Sequence, residues 1–252
     1  MTLDPTAPWL ALLVGFGAIA LLYASVGHAG ATGYLAVMAI AGVAPTVMRP
    51  TALILNLVVG AIVTVRFAFA RQIELRRLLP LVVASVPAAA LGASIALPNL
   101  LYRPLVAVIL LIASARLAGL LPLRRNNNDS ERQLPLHSAL LIGATLGLLA
   151  GLTGTGGGVF LTPVLILGRW ANPRRAAGLS GAFILANSAA GIVAASGTLA
   201  SLPPLLPLAV PIVAIAGAIG AELGARRLPT QAIRRLLALV LLVAAAKLLF
   251  AT

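Results

Sequence analysis

The 252-residue sequence contains no cysteine and few charged residues. Without cysteine, the chain cannot form disulfides, thiolate metal sites or redox-active thiol pairs. Charged residues make up 9% of the chain, whereas a soluble domain has about 25%. The acidic residues all lie in or beside predicted loops; they are Asp4, Glu74, Asp129, Glu131 and Glu222. A carboxylate proton relay or cation site inside a membrane would therefore lack ligands.

The sequence also lacks the common catalytic and metal-binding motifs. It contains no His-x-x-x-His, Cys-x-x-Cys or Gly-x-Ser-x-Gly and no acidic pair. An intramembrane enzyme would need such groups as nucleophile, base or metal ligands. We therefore expect no enzymatic activity, no metal site and no cofactor.

Apolar segments fill most of the chain, of which 61% is hydrophobic. Runs of about 15 to 20 apolar residues are long enough to cross a bilayer as helices. The sequence predicts an all-α polytopic membrane protein with about 8–10 membrane segments. The segments are 9–26, 30–44, 50–65, 78–97, 104–121, 138–152, 158–168, 176–199, 205–221 and 234–251.

The most unusual stretch is G-L-T-G-T-G-G-G-V-F-L-T-P at 151–163. Each interior glycine costs a helix about 1 kcal/mol, so the glycines between 154 and 158 predict a break, with the helix restarting near Val159. A break inside a bilayer is tolerated where it lines a cavity or is buried in protein. The new helix would direct its N-terminal N–H groups at the gap, as in transporters of anions. The alternative is a glycine seam for close helix packing.

The two halves of the chain resemble each other. Asn56 and Gly60 form an Asn-x-x-x-Gly pattern that Asn187 and Gly191 repeat, and each pattern follows a glycine-rich junction. Such an internal repeat is typical of transporter folds. The polar stretch between the halves predicts a linker. We therefore divide the chain into a first transmembrane repeat (1–123), a cytoplasmic linker (124–137) and a second repeat (138–252).

Arginine clusters predict the orientation of the halves. Four loops near 66–77, 116–132, 169–175 and 226–235 hold 15 of the 18 basic residues, so we place them in the cytoplasm. The uncharged 198–207 loop then lies outside, which makes the repeats inverted and puts both termini outside. The first two segments of each half must enter and leave on one side. Eleven residues at 158–168 reach only about half of a ~30 Å core, which favours half-length or re-entrant helices that meet near the midplane.

Neutral polar groups and glycines are the remaining candidates for a substrate site. Hydroxyls, amides and free backbone N–H groups are donors that suit an oxyanion. The predicted substrate-binding residues are Gly27, His28, Gly30, Thr32 and Gly33 in the first half, Asn56 and Asn187 on the helices after the breaks, and Thr153, Gly154, Thr155, Gly156, Gly157 and Gly158 in the second half. Thr32 and Ser188 also suit helix packing, and His28 suits a satisfied helix end. Arg49 is interpreted as an interfacial arginine that reaches toward the membrane surface, not a substrate clamp.

The sequence blocks at 151–163, at 26–39 (V-G-H-A-G-A-T-G-Y-L-A-V-M-A) with 49–56 (R-P-T-A-L-I-L-N), and at 183–191 (F-I-L-A-N-S-A-A-G) carry a family resemblance. They resemble the TauE/SafE family, the sulfite exporter or TSUP group, over nearly the whole chain. The resemblance implies a bacterial inner-membrane, multi-pass transporter of small sulfur-containing or related organic anions, often exported. The first half has Ala29 where such motifs often keep glycine.

We therefore expect a secondary transporter that exports a small anion, such as sulfite or an organosulfonate, by alternating access around a midplane site. The sequence allows proton coupling and is compatible with a monomer or a homodimer. We expect the lipid bilayer to surround the protein and expect no nucleic-acid partner. A passive anion channel with the same donors as its selectivity filter is the alternative. A membrane-embedded enzyme or an assembly subunit is a third class, and the missing nucleophile–base pair disfavours the enzyme.

Overall fold

A computed structural model of the chain describes residues 7–95, 97–120, 131–194 and 202–226, and isolated positions between 238 and 249. The predicted tenth segment at 234–251 lies mostly outside these residues, as do 124–130 of the linker and 198–201 of the external loop. Every regular element in the described part is a helix. The helices are α1 (Ala7–Ala24), α2 (Ala31–Ala41), α3 (Pro45–Phe69), α4 (Leu75–Ser94), α5 (Asn99–Leu117), α6 (Leu136–Thr153), α7 (Gly158–Leu167), α8 (Pro173–Ala194) and α9 (Leu206–Arg226).

Five of these helices, α3, α4, α6, α8 and α9, are long and apolar enough to cross a membrane. The helices that follow the glycine-rich junctions are much shorter, with 11 residues in α2 and 10 in α7. At 1.5 Å per residue they span about half of a ~30 Å hydrocarbon core. The prediction of an all-α polytopic membrane protein with glycine-broken helices is therefore confirmed.

The outer surface of the helices suits a lipid environment. Large apolar side chains such as Val14, Val83, Val193 and Ile215 are exposed. In water such a surface would drive aggregation, whereas lipid tails are an equally apolar solvent.

Glycine grooves hold the two halves together. Gly143, Gly147 and Gly151 recur every fourth residue along α6 and press against backbone carbonyls of α4, where no β-carbon would fit. Gly220 and Gly224 of α9 press in the same way against α1. Small residues allow such close approach of membrane helices. Each half therefore supplies one long helix that packs against a helix of the other half, α4 on α6 and α9 on α1.

The centre of the fold is an antiparallel crossing of α3 and α8. Gly191 faces Leu53 at one end of the crossing, and Gly60 faces Leu185 further along. Gly181 then lies against Val63. This register brings the predicted Asn56 and Asn187 to the same level of the crossing.

The two junctions share left-handed backbone at two aligned glycines, whereas Gly156, which is also left-handed, aligns with Ala29, which is not. Gly27 and Gly30 have φ values of 79° and 101°, and Gly154 and Gly157 have 77° and 74°. In each pair the second glycine is the N-cap of the short helix. Left-handed backbone at both positions favours glycine because a β-carbon would be strained there. This shared turn supports an internal repeat, while the boundaries at 123 and 138 stay a prediction.

A network of ion pairs joins the arginine-rich loops on one face. Arg77 Nη1 lies 2.7 Å and Arg175 Nη1 2.8 Å from a Glu131 carboxylate oxygen. The backbone N–H of Asn172 donates to the other oxygen at 3.0 Å. Burial alone would raise the pKa of Glu131, but these hydrogen bonds and the Arg175 charge hold it below its usual value. The linker end and the starts of α4 and α8 are therefore held together.

The end of α9 lies on the same face, because Glu222 forms an ion pair with Arg66 at the end of α3. The contacts of Arg66, Arg77 and Arg175 and the Arg132–Arg169 backbone hydrogen bond thus lie on one side of the molecule. That this side is the cytoplasm stays a prediction.

Candidate functional site

The second junction forms a four-residue gap between α6 and α7. Gly154, Gly156 and Gly157 all adopt left-handed backbone, with φ of 77°, 69° and 74°. Helix α7 begins at Gly158, one residue before the predicted restart, and no side chain caps its N-terminus. The break predicted at 154–158 is therefore present, and the positive end of the α7 dipole faces it.

Hydroxyl groups at this break are already engaged. Thr153 Oγ1 donates to the Leu149 carbonyl at 2.6 Å and lies 2.9 Å from Thr155 Oγ1. Because Thr153 has used its only proton, Thr155 donates to Thr153. The Tyr102 hydroxyl also donates to the Thr153 carbonyl at 3.2 Å. Thr153 and Thr155 thus stabilise the gap, and their protons are not directed at a ligand.

Asn56 is the polar side chain that α3 presents to this gap. It is fully buried, and neither its amide nitrogen nor its carbonyl oxygen has a hydrogen-bond partner. A β-carbon added to Gly156 would lie 3.0 Å from the Asn56 Nδ2 atom and 2.8 Å from Ile184. The glycine therefore lets the backbone of the break lie directly against the Asn56 amide.

Helix periodicity places Asn187 of α8 on the side that faces the same gap. Ile184 and Ser180 of α8 contact Gly158, and Asn187 lies on this face one turn beyond Ile184. It is 1% exposed, and both of its side-chain polar atoms lack partners. The hydroxyl of the adjacent Ser188 is likewise buried without a partner.

Two unpartnered buried amides are costly to a fold. Each orphaned polar group in a protein interior costs about 1–3 kcal/mol, and buried polar atoms are normally satisfied. The asparagines carry four N–H donors and two carbonyl acceptors between them. Because they lie near a helix N-terminus that no side chain caps, this break is the candidate site for a small polar ligand.

His28 at the first junction reaches toward the second half. It is 6% exposed, and its Nε2 atom lies 3.1 Å from Thr162 Oγ1. Thr162 Oγ1 lies 2.7 Å from Ser180 Oγ and 3.4 Å from the Gly158 carbonyl oxygen. The first junction and the start of α7 are thus adjacent, linked through Thr162. The depth of this contact in the bilayer stays a prediction.

The other first-half candidates make packing contacts. Thr32 Oγ1 pairs with the Tyr23 hydroxyl at 3.0 Å, and Gly33 lies against Ile19, so both fasten α2 to α1. Gly27 lies against Ala177 of α8, and Gly30 against the ring of Tyr34. The two predicted half-sites therefore differ in their polar groups. Asn56, which has no hydrogen-bond partner, lies against the glycine backbone of the second break.

Arg49 binds the C-terminal end of α4. Its guanidinium donates to carbonyls at the C-terminal end of α4, including Ile95 O at 3.1 Å and Gly92 O at 3.3 Å. The last carbonyls of a helix have no partner within the helix, so a cation there caps it. Arg49 caps α4 and also packs against Gly154, while its position at the membrane surface stays a prediction.

Thr162 is a residue of the candidate site that sequence reasoning missed. When Gly30 is aligned with Gly157, Thr162 corresponds to Leu35, so the repeat gives no signal for it. The only local sign is its position four residues after Gly158, which places it on the same face one turn into α7.

An apolar cavity of about 290 Å³ lies elsewhere, between the start of α1 and the start of α9. It is lined by residues such as Trp9, Phe16 and Met38 and contains none of the candidate residues. Within the part of the chain that the structure describes, no group of three or more His, Cys, Asp or Glu comes together to hold a metal.

Comparison with known proteins agrees with this architecture. The family profile described as "Sulfite exporter TauE/SafE" matches residues 11–248. The "Probable membrane transporter protein y4hK" of Sinorhizobium fredii (strain NBRC 101917 / NGR234) is 39% identical over 243 residues, covering 96% of this chain and 98% of the relative. No solved structure matches the chain significantly. The match over nearly the full length, together with the glycine-broken helices, means that this membrane transporter belongs to the sulfite exporter TauE/SafE family.

Proposed function

We propose that the protein is a secondary transporter that exports a small anion, such as sulfite or an organosulfonate, across the bacterial inner membrane. The observation that carries the proposal is the pair of buried asparagines without partners, Asn56 and Asn187, beside the second break. A bound anion would accept hydrogen bonds from their amide groups and remove the cost of leaving those groups unpaired.

The start of α7 supplies the complementary electrostatics. Its first N–H groups and the positive end of its dipole favour negative charge. Gly156 and Gly157 allow an anion to approach the backbone closely. A site made of dipoles binds an anion without a permanent opposite charge, which also permits release.

Movement of the α1–α2 and α6–α7 helix pairs would expose this site to each side of the membrane in turn. Helices α6 and α7 begin and end at the arginine-rich face, since Arg132 N–H donates to the Arg169 carbonyl at 2.8 Å. Inverted repeats support alternating access because the two halves can exchange conformations. Loss of the Thr162 contact to His28 would free the two junctions from each other.

Flux into proteoliposomes tests the proposal. A transporter should take up radiolabelled sulfite with a rate that saturates, and unlabelled sulfite inside the vesicles should accelerate uptake by exchange. A channel would show neither saturation at moderate concentration nor exchange acceleration.

Protein-free vesicles and vesicles preloaded with chloride are the controls. Sulfite flux equal to that of empty vesicles, or flux that never saturates and shows no exchange, would contradict the transporter proposal.

A further inference from the structure

The unpartnered atoms at the second break include acceptors as well as donors. In Asn56 and in Asn187, both the amide nitrogen and the carbonyl oxygen lack partners, so this holds whichever way each amide group is turned. A ligand with acceptors alone would satisfy the N–H groups and leave two buried carbonyl oxygens unpaired. If the ligand were also an anion, those oxygens would face negative charge.

The surroundings also limit the charge of the ligand. The guanidinium of Arg49 is engaged by α4 carbonyls, and Arg66 is paired with Glu222. His28 contacts Thr162, and the Tyr102 hydroxyl donates to the Thr153 carbonyl. Arg77 and Arg175 are paired with Glu131. No described cation is directed at the asparagines. Burying charge without a cation is expensive, and the cost rises with the square of the charge, which disfavours a dianion.

We propose that this site selects a singly charged anion that carries its own hydrogen-bond donor and that it rejects dianions. Hydrogensulfite, with its one proton, and sulfonates with a hydroxyl group belong to this class. The donor of the ligand would satisfy an asparagine carbonyl, while its oxyanion accepts from the amide groups and from the start of α7. This inference rests on the proposed function and adds the protonation state of the substrate to it.

A pair of isosteric sulfonates gives the most direct test. Hydroxyethanesulfonate and propanesulfonate have the same charge and the same number of heavy atoms, but one ends in O–H and the other in CH₃. Competition with labelled sulfite uptake in proteoliposomes, at one fixed pH, measures their relative affinity without interference from proton coupling. We expect the hydroxyl compound to compete about tenfold better, because the methyl compound leaves a buried acceptor unpaired.

The same preparation allows two further measurements. Sulfite uptake at fixed total concentration should fall as pH rises and hydrogensulfite loses its proton. The preference for the hydroxyl compound should shrink in Asn56→Leu and Asn187→Leu. It should persist in Thr64→Val, since the Thr64 hydroxyl already donates to Gly60 O on its own helix at 2.6 Å.

The outcomes separate the two proposals. Saturable uptake with equal competition by the two sulfonates, or uptake that rises with the dianion, overturns this inference and leaves anion transport standing. Absence of saturable sulfite uptake and of competition by either sulfonate overturns the proposed function itself.

Discussion

At the scale of single residues, Asn56 and Asn187 should matter more than any exposed arginine. We expect Asn56→Ala and Asn187→Ala each to weaken apparent affinity by roughly 10- to 150-fold, because each removes a hydrogen bond to a charged group worth about 1.5–3 kcal/mol. Arg76→Ala is the matched control, since Arg76 is exposed and its charge is screened by water. Initial rates in proteoliposomes, normalised to reconstituted protein, provide the measurement.

Normal transport by both asparagine variants would remove the amide site from the mechanism. Arg49 and Arg175 are unsuitable controls, because the first caps α4 and the second binds Glu131.

Two glycines allow backbone strain to be separated from crowding of the site. Gly156 and Gly42 both have left-handed backbone, with φ of 69° and 77°, so alanine at either costs about 1–2 kcal/mol. A β-carbon at Gly42 meets nothing within 4 Å, whereas one at Gly156 strikes Ile184 and the Asn56 amide. We expect Gly42→Ala to transport nearly normally and Gly156→Ala to lose most transport.

Uptake assays on both variants at equal membrane expression check this prediction. Equal losses in the two variants would show that strain alone explains the effect.

Residue-level prediction from sequence worked where local rules apply. The break at 154–158 follows from helix propensity. The repeat pointed to Asn56 and Asn187, which are buried without hydrogen-bond partners, while their role in binding stays a prediction. The roles of Arg49 and Thr162 depend on partners more than 40 residues away in sequence, such as Ile95 and His28. No local pattern encodes such a partner.

At the scale of helices, the glycines of α6 act as a contact surface. Gly147→Ala should destabilise the protein by about 1–3 kcal/mol, because its β-carbon would overlap the backbone of α4 at Ser85. Gly60→Ala on α3 is the matched control, since its β-carbon would make ordinary contact with Leu185 at 3.5 Å. There the better helix propensity of alanine, up to about 1 kcal/mol, should leave stability unchanged or higher.

Thermal unfolding of the two variants in one detergent provides the comparison. A lower melting temperature for Gly60→Ala than for Gly147→Ala would contradict the assigned packing.

Helix positions were more predictable than helix partners. Apolar runs bounded by glycine, proline or arginine located the described helices to within a few residues, because bilayer burial imposes long apolar segments. The four-residue glycine spacing in α6 signals close packing, but it does not say that α4 is the partner. That pairing joins a helix of the first half to a helix of the second half, and no local sequence pattern specifies it.

At the scale of the whole molecule, Glu131 joins the linker to both halves. Its folded-state pKa lies below the usual value of 4.5, so its contribution to stability is complete above that pH and is lost as pH falls through the lower folded value. Glu131→Gln should therefore lower stability at neutral pH by about 1–3 kcal/mol and flatten the acid part of the stability curve. Glu74→Gln should do less, because that carboxylate is 38% exposed.

Melting temperatures from neutral to acidic pH test this prediction. If the melting temperature of Glu131→Gln fell at acidic pH as much as that of the natural protein, the network would not contribute to stability.

Membrane orientation can be tested with single cysteines, because the natural chain has none. Asn128→Cys and Arg76→Cys should react with an impermeant reagent only from the cytoplasm, and Ser201→Cys only from outside. Positions 128 and 201 lie outside the described residues, whereas Arg76 is exposed at the start of α4. Labelling of 76 and 201 from the same side would reject the inverted arrangement.

The packing of α4 on α6 and of α9 on α1 also affects how the protein assembles during synthesis. Helices α1 and α4 leave the ribosome before α9 and α6, the helices whose glycine grooves receive them. Until the second half has been inserted, the inner faces of α1 and α4 must rest against lipid or an insertion factor. Neither half can complete its own packing, so assembly of this protein is a late step that follows synthesis of almost the entire chain.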